Sequence, residues 1–245
     1  MTIVCNELLG RELLKIYQDP EYFSFSIDSM LLASFATITA TTKNICDLCT
    51  GNAPIPLYLS LRSEKAHIYG VEVQEHSYDL GIKSIKENKL DDRIELINAN
   101  LIDINKTIGN KFDLVTCNPP YFKLGNHNIN PKDSKAIARH EILATLDDCI
   151  KEASLLLKSK GRFAMVHRPE RLIEILDTFK KYKIIPKRLQ FIYPKKNKEC
   201  NHILIEGIKN GEMGSLRILP PLYIYDENNK WTEEVLKIYN CEGVD

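Results

Sequence analysis

Between about residues 43 and 168 the chain alternates short apolar, β-rich runs with stretches of helical period, a rhythm that few folds accommodate. Residues 44–48, 66–72, 93–97, 112–117 and 163–167 read as strands. Residues 55–61, 77–89, 146–159 and 171–181 read as helices. In the third of these, Asp147 and Asp148 open the helix, Lys158 and Lys160 sit near its end, and Gly161 is placed as the residue that stops it. Such alternation predicts an α/β fold with a doubly wound, mainly parallel sheet. The tail differs. Residues 188–193, 202–208 and 216–225 read as antiparallel strands, closed by a helix over 232–239. In sheets of this kind ligands sit beyond the carboxyl ends of the strands, where the strand order reverses.

The ends of three predicted strands carry polar residues that suit a ligand. Asp47-Leu48-Cys49-Thr50-Gly51-Asn52-Ala53 follows the first strand, and Glu72 ends the second, 25 residues after Asp47. That spacing suits an acid accepting hydrogen bonds from ribose hydroxyls. A glycine-rich fingerprint and a Gly-Lys-Ser/Thr phosphate loop are both absent from the sequence.

Asn118-Pro119-Pro120-Tyr121 closes the fourth strand and is the sharpest signal. The prolines fix φ and remove backbone donors, so the loop is rigid and its carbonyls project without competing N–H groups. The Asn118 side chain and the Pro119 carbonyl can both accept from one planar amine, and Tyr121 offers a face to the ring carrying it. Two acceptors on the amine hydrogens favour pyramidal nitrogen, which suits methyl transfer to an exocyclic amine without a strong base.

Charge completes the reading. The chain has 33 basic and 33 acidic side chains among 245 residues, so the net charge is zero, which taken alone argues against a nucleic-acid partner. By segment the balance changes. Residues 1–126 carry 12 basic and 16 acidic groups, residues 151–209 carry 15 and 6, and residues 210–245 carry 3 and 7. The basic third, with Phe179, Tyr182, Phe191 and Tyr193 interleaved, predicts a phosphate-backbone footprint. Its candidates are Arg168, Arg171, Lys180, Lys181, Lys187, Arg188, Lys195, Lys196 and Lys198. No run has the ~18 apolar residues of a membrane helix. The N-terminus lacks a cationic stretch followed by an apolar core, so a cytoplasmic protein is expected. The seven scattered cysteines read as reduced thiols. Cys46-x-x-Cys49 has no second Cys/His pair at ligand spacing, so no metal is expected; were the first and fourth strands neighbours, Cys117 would lie near both thiols and sensitivity to oxidation would follow.

Together these residues resemble the class I S-adenosylmethionine-dependent methyltransferases. More narrowly, they are similar to the bacterial tRNA adenine-N6 methyltransferases that modify position 37, beside the anticodon. The resemblance runs nearly end to end, through residues 18–28, the turn after Asp47, Gly70-Val71-Glu72-Val73-Gln74, Asn118-Pro119-Pro120-Tyr121-Phe122, Ala138-Arg139-His140-Glu141, Val166-His167-Arg168-Pro169 and Pro220-Pro221-Leu222. It implies a Rossmann-like sheet of seven strands with an antiparallel C-terminal strand or hairpin. It also implies a single domain over 1–245: an extension over 1–40 covering the cofactor site, a core over 43–210, and a closing strand and helix over 211–245. S-adenosylmethionine is then held by Asp47, Cys49, Gly51 and Asn52 at its methionine end, by Glu72 and Val73 at the ribose, and by Asn100 and Leu101 beside the adenine. Asn118 borders both cofactor and substrate. Asn118, Pro119 and Pro120 form the catalytic loop, Tyr121 stacks on a flipped base, and Arg139 joins the tRNA contacts. Cys49 and Ala53 stand where the family usually has Gly, and Asn100 where it has Asp. The same loop also suits a protein-glutamine methyltransferase, and Cys49 and Asn100 also suit an RNA-binding protein with a degenerate cofactor site. A monomer acting on tRNA, with no membrane partner, is the expectation.

Overall fold

A computed structural model describes residues 3–8, 14–20, 26–109, 111–119, 144–214 and 216–241. An antiparallel hairpin, β1 (Val4–Glu7) and β2 (Lys15–Gln18), precedes helix α1 (Ile27–Phe35). The alternation then runs β3 (Asn44–Leu48), α2 (Pro54–Arg62), β4 (His67–Glu72), α3 (Glu75–Glu87), β5 (Ile94–Asn98), the single turn α4 (Asn105–Ile108) and β6 (Phe112–Cys117). It continues with α5 (Leu146–Leu156), β7 (Leu157–His167), α6 (Leu172–Lys181), β8 (Ile184–Tyr193) and β9 (His202–Lys209). The short strands β10 (Arg217–Ile218) and β11 (Leu222–Tyr223) and helix α7 (Glu233–Tyr239) end the chain's described part.

Seven long strands lie in the order β5-β4-β3-β6-β7-β9-β8. The first five are mutually parallel, and β9 runs antiparallel to both β7 and β8. The chain winds outward from β3 to β5 and returns on the other side of β3 as β6, so the strand order reverses between β3 and β6. One face is covered by α1, α2, α3 and α7, whose Leu32, Leu57, Tyr58, Ile85 and Val235 share a core. The other is covered by α5 and α6, through Ile150, Leu156, Ile175 and Phe179.

Local chemistry explains several boundaries. Ala53 takes a left-handed conformation, and Pro54 then opens α2 at a position where a missing N–H costs nothing. Thr145 caps α5 in a reciprocal box with Asp148, each backbone N–H reaching the other's side chain at 3.2 and 2.9 Å. The Tyr58 hydroxyl donates to the Ile238 carbonyl at 2.6 Å and fixes α7 against α2.

Two expectations are corrected. The third helix stops at Leu156, and β7 begins at Leu157, so Lys158, Lys160 and Gly161 belong to a bulged strand start rather than a helix end. Lys158 instead pairs with Asp113 at 2.7 Å. Gly161 is required by packing, since a Cβ there would lie 3.0 Å from the Lys158 carbonyl oxygen and 3.1 Å from that of Phe112. Residues 216–225 form no antiparallel strand. They give two-residue strands parallel to β8, because Pro220 and Pro221 remove the donors a continuous ladder needs.

Candidate functional site

The loop after β3 lies at the strand-order reversal, and its backbone is unusual. Cys49 (φ 57°), Gly51 (φ 58°) and Ala53 (φ 70°) are all left-handed, so two side-chain-bearing residues occupy a region that favours glycine. The Gly51 N–H donates to Glu72 Oε2 at 2.8 Å, and the Gln74 N–H donates to Oε1 at the same distance. Glu72 thus binds the β3 loop to the end of β4. Burial pushes its carboxyl up to about 7, against the opposing pull of the Gln74 N–H.

Asp47 is fully buried. The Thr116 hydroxyl of β6 donates to its Oδ1 at 2.6 Å, and Oδ2 has no hydrogen-bond partner among the described residues. Burial raises this carboxyl to about 7 as well, against the Thr116 bond. Asn52 donates its Nδ2 to the Tyr17 carbonyl at 2.8 Å, and the Tyr17 N–H donates to Ser84 on α3 at 2.9 Å. The N-terminal hairpin is thereby fastened to the loop. Val73 is half-buried, Leu101 is in the core, and exposed Asn100 accepts the Ile102 N–H at 2.9 Å, closing its own turn.

Asn118 follows β6 directly. Its Nδ2 donates to the Ser29 hydroxyl at 3.3 Å, tying the catalytic candidate to the start of α1, and Pro119 is buried. His202, at the start of β9, lies 3.5 Å from Asp28, the residue before Ser29. Burial lowers the His202 pKa. His167, at the end of β7, is lowered to about 4 by burial, and its Nδ1 accepts the Arg168 N–H at 2.8 Å. Pro120, Tyr121 and Arg139 lie outside the described residues. Ser29, Thr116 and Gln74 are additions that sequence reasoning missed. Only Thr116 carries a signal, a lone hydroxyl in an otherwise apolar stretch of strand.

The basic third divides between two edges of the sheet. Because β9 reverses, β8 runs parallel to β7, and the β8–β9 turn falls at the same edge as Asp47, Glu72 and Asn118. Lys195, Lys196 and Lys198 are in that turn, and Arg168 and Arg171 follow β7 at the same edge. Lys180 and Lys181 end α6 at the opposite edge, where Lys181 pairs with Asp147 at 2.7 Å. Arg171 pairs with Glu174, and Lys187 donates to the Glu212 carbonyl. Arg188 faces inward. Its guanidinium donates to Phe35 O and Thr37 Oγ1 at 2.9 and 2.7 Å and lies 3.6 Å from fully buried Glu206, which also pairs with Arg162 at 3.0 Å. Of the interleaved aromatics, Phe179 is core, and the Tyr182 hydroxyl donates to Asp147 at 2.5 Å.

The residues present fit a sulfonium cofactor on two counts. A buried carboxylate oxygen, Asp47 Oδ2, lacks a partner among the described residues beside the loop. Among the described residues, a Cβ on Gly51 would meet nothing within 4 Å, which leaves space beside the loop for a ligand.

Comparison with known proteins agrees with this geometry. A tRNA1(Val) (adenine(37)-N6)-methyltransferase of Porphyromonas gingivalis is 29% identical over 185 residues, covering 73% of this chain and 72% of that protein. One of Aliivibrio salmonicida is 27% identical over 202 residues, covering 82% and 80%. Among solved structures, an Agrobacterium tumefaciens protein described as a predicted O-methyltransferase superposes with a TM-score of 0.70 at 22% identity, over 87% of this chain and 95% of that one. The family described as methyltransferase small domain matches residues 14–193. With strand order, loop geometry and that match in agreement, the chain belongs to the methyltransferase small domain family.

Proposed function

We propose that this methyltransferase moves a methyl group from S-adenosylmethionine to the N6 amine of an adenine in tRNA, at position 37. The observation that carries the proposal is the placement of Asn118 and Pro119 at the end of β6, beside the β3 loop and at the strand-order reversal. The two relatives named above bear that activity in their names. The β8–β9 turn supports a polyanionic substrate, since it brings three lysines to the site's edge.

When bound, the cofactor supplies an electrophilic methyl on a sulfonium. The Asp47 carboxylate and the β3 loop backbone hold its methionine end, and Glu72 takes the ribose hydroxyls. Ser29 fixes the orientation of the Asn118 amide, and the proposed reaction uses Oδ1 together with the Pro119 carbonyl to accept the two N–H bonds of the substrate amine. Held this way, the amine would present its lone pair, drawn out of ring conjugation by Asn118 Oδ1 and the Pro119 carbonyl, toward the side where the cofactor's methyl would be supplied. The amine's surplus proton then leaves to water. Tyr121 stacks on the base in this reading, and Arg168, Arg171, Arg139 and the lysines of the turn meet backbone phosphates. Residues 1–40 cover the cofactor side, as the Tyr17–Asn52 and Ser29–Asn118 bonds suggest, and the chain acts as a cytoplasmic monomer. Among the described residues no helix is long and apolar enough to cross a membrane.

Incubation with methyl-labelled cofactor, total RNA and total protein, followed by nucleoside and peptide mass spectrometry, tests the proposal. Label in N6-methyladenosine of tRNA is expected. Label in guanosine or in protein glutamine overturns it.

A further inference from the structure

The fold assembles three thiols that lie far apart in the sequence. Cys49 is in the β3 loop, Cys117 is the last residue of β6, and Cys149 is in the first turns of α5. Their sulfurs all lie within 4.8 Å of one another. Cys117 and Cys149 are fully buried and Cys49 is half-buried, so Cys49, in the loop after β3, is the least enclosed member of the trio. Cys46, the other half of the Cys-x-x-Cys pair, is not part of the group.

The spacing discriminates between two fates for such a cluster. A disulfide requires two sulfurs at ~2.05 Å, a contraction the packed ends of β3, β6 and α5 would have to absorb. A tetrahedral or trigonal zinc thiolate needs sulfurs about 3.8–4.0 Å apart, following from a Zn–S bond of ~2.3 Å. Three sulfurs already within 4.8 Å reach that arrangement by small rotamer shifts. Cys149 also sits near the start of an 11-residue helix, whose dipole favours a thiolate.

The geometry points to a site for a thiophilic d10 divalent cation, zinc in the first instance, bound by Cys49, Cys117 and Cys149 with its fourth position open on the Cys49 side. Binding releases the three thiol protons, and the dication offsets most of the negative charge that three buried thiolates would carry. Borderline-soft zinc accepts sulfur ligands without redox change. The expectation of no metal rests on the missing second Cys/His pair in the sequence; the third ligand comes from α5 through tertiary packing. An ion here joins the cofactor loop to the strand that presents Asn118, because Cys49 and Cys117 belong one to each.

The test uses the full chain in reducing buffer, titrated with Cd2+ as a spectroscopic probe and then with Zn2+ as competitor. One Cd2+ per chain is expected, with thiolate-to-cadmium charge-transfer absorption from three sulfurs, displaced by Zn2+. Cys149→Ala and, from a different element, Cys117→Ser should each remove about a third of the absorption. Each should weaken binding by at least the ~10–100-fold that loss of an outer-shell partner costs. Cys200→Ser, outside the trio, should change neither. Absence of the absorption at one equivalent in the unaltered chain overturns the proposal. So does unchanged binding in a folded Cys149→Ala or Cys117→Ser chain, with circular dichroism establishing the fold.

Discussion

Glu72 accepts the Gly51 N–H at 2.8 Å, so the acid proposed to take the cofactor's ribose also holds the loop proposed to take its methionine end. Two jobs rest on one carboxylate. Glu72→Gln keeps the size but turns one of the two accepting oxygens into an NH2 that faces a backbone N–H, so the bond to Gly51 or to Gln74 is lost, and hydrogen bonds to charged groups contribute ~1.5–3 kcal/mol. Cofactor affinity should fall about 10–100-fold, measured by calorimetry, while the thermal unfolding temperature drops only modestly.

Asp47 and Glu72 both have carboxyls raised to about 7 by burial, and the sign of the consequence follows from linkage. Between the unfolded value near 4 and the folded value near 7 the native state holds protons that the unfolded state has lost. Stability is therefore greatest at the acid end of that window and declines as pH rises through it. A tenfold difference in proton affinity between the two states is worth ~1.4 kcal/mol, so the decline across both groups is several kcal/mol. Urea unfolding of the ligand-free chain at pH 5, 6, 7 and 8 reads this out, and Asp47→Asn should flatten the curve.

The β3 loop offers two substitutions of opposite effect. In metal-free buffer containing a chelator, Cys49→Gly relieves a left-handed residue bearing a side chain and should stabilise the fold by about 1 kcal/mol in chemical denaturation. Gly51→Ala introduces that strain, costing ~1–2 kcal/mol, with no atom of the described residues within 4 Å to clash. Because the space beside Gly51 is what the cofactor would fill, Gly51→Ala should weaken cofactor binding in calorimetry by more than tenfold, with the fold retained.

The division of the basic third into two edges gives a salt-dependence test. Replacing Lys196 and Lys198 by Ala should reduce the slope of log affinity for tRNA against log salt by about 0.7–0.9 for each phosphate no longer neutralised. Replacing Lys180 and Lys183, at the far edge, should leave the slope unchanged. Filter binding across a salt series distinguishes the two pairs.

Arg188 belongs to neither group. Truncating it removes the bonds to the Phe35 carbonyl and the Thr37 hydroxyl while Glu206 keeps Arg162 and Thr37 as partners, so Arg188→Ala should destabilise the chain by ~1–2 kcal/mol, read by urea unfolding. A surface phosphate contact would instead change tRNA binding with little effect on stability.

Much of this molecule is legible from its sequence, for local reasons. β3 and β6 are short apolar runs ended by a turn or by prolines, and their bounds match the expected ones residue for residue. The first-turn acids of α5 are equally plain, but its end is not. Lys158 resembles a residue at a helix C-terminus, whereas tertiary packing uses it against Asp113. Hairpin β1–β2 and α1 carry weak periodicity and are held by distant partners, Ser84, Asn88 and Glu206 among them. Asp47, Glu72 and Asn118 stand out because strand ends in such sheets are where ligands bind. Ser29 and Cys149 reach the same region from other elements, and no local pattern announces such contacts. Arg188 reads as a surface cation because a run of charge does not reveal which member turns inward.

The Thr37–Glu206 bonds span 169 residues and carry a consequence for how the chain is made. Thr37 leaves the ribosome with its backbone N–H and hydroxyl unmatched, and their acceptor is translated only much later. At ~5–20 residues per second that interval is roughly 10–30 s. Helix α1 meanwhile has no β9 to rest on, and its Leu31 and Leu32 remain available to chaperones. Nascent chains stalled before Glu206 should therefore be protease-sensitive at the N-terminus, and those stalled well beyond it resistant.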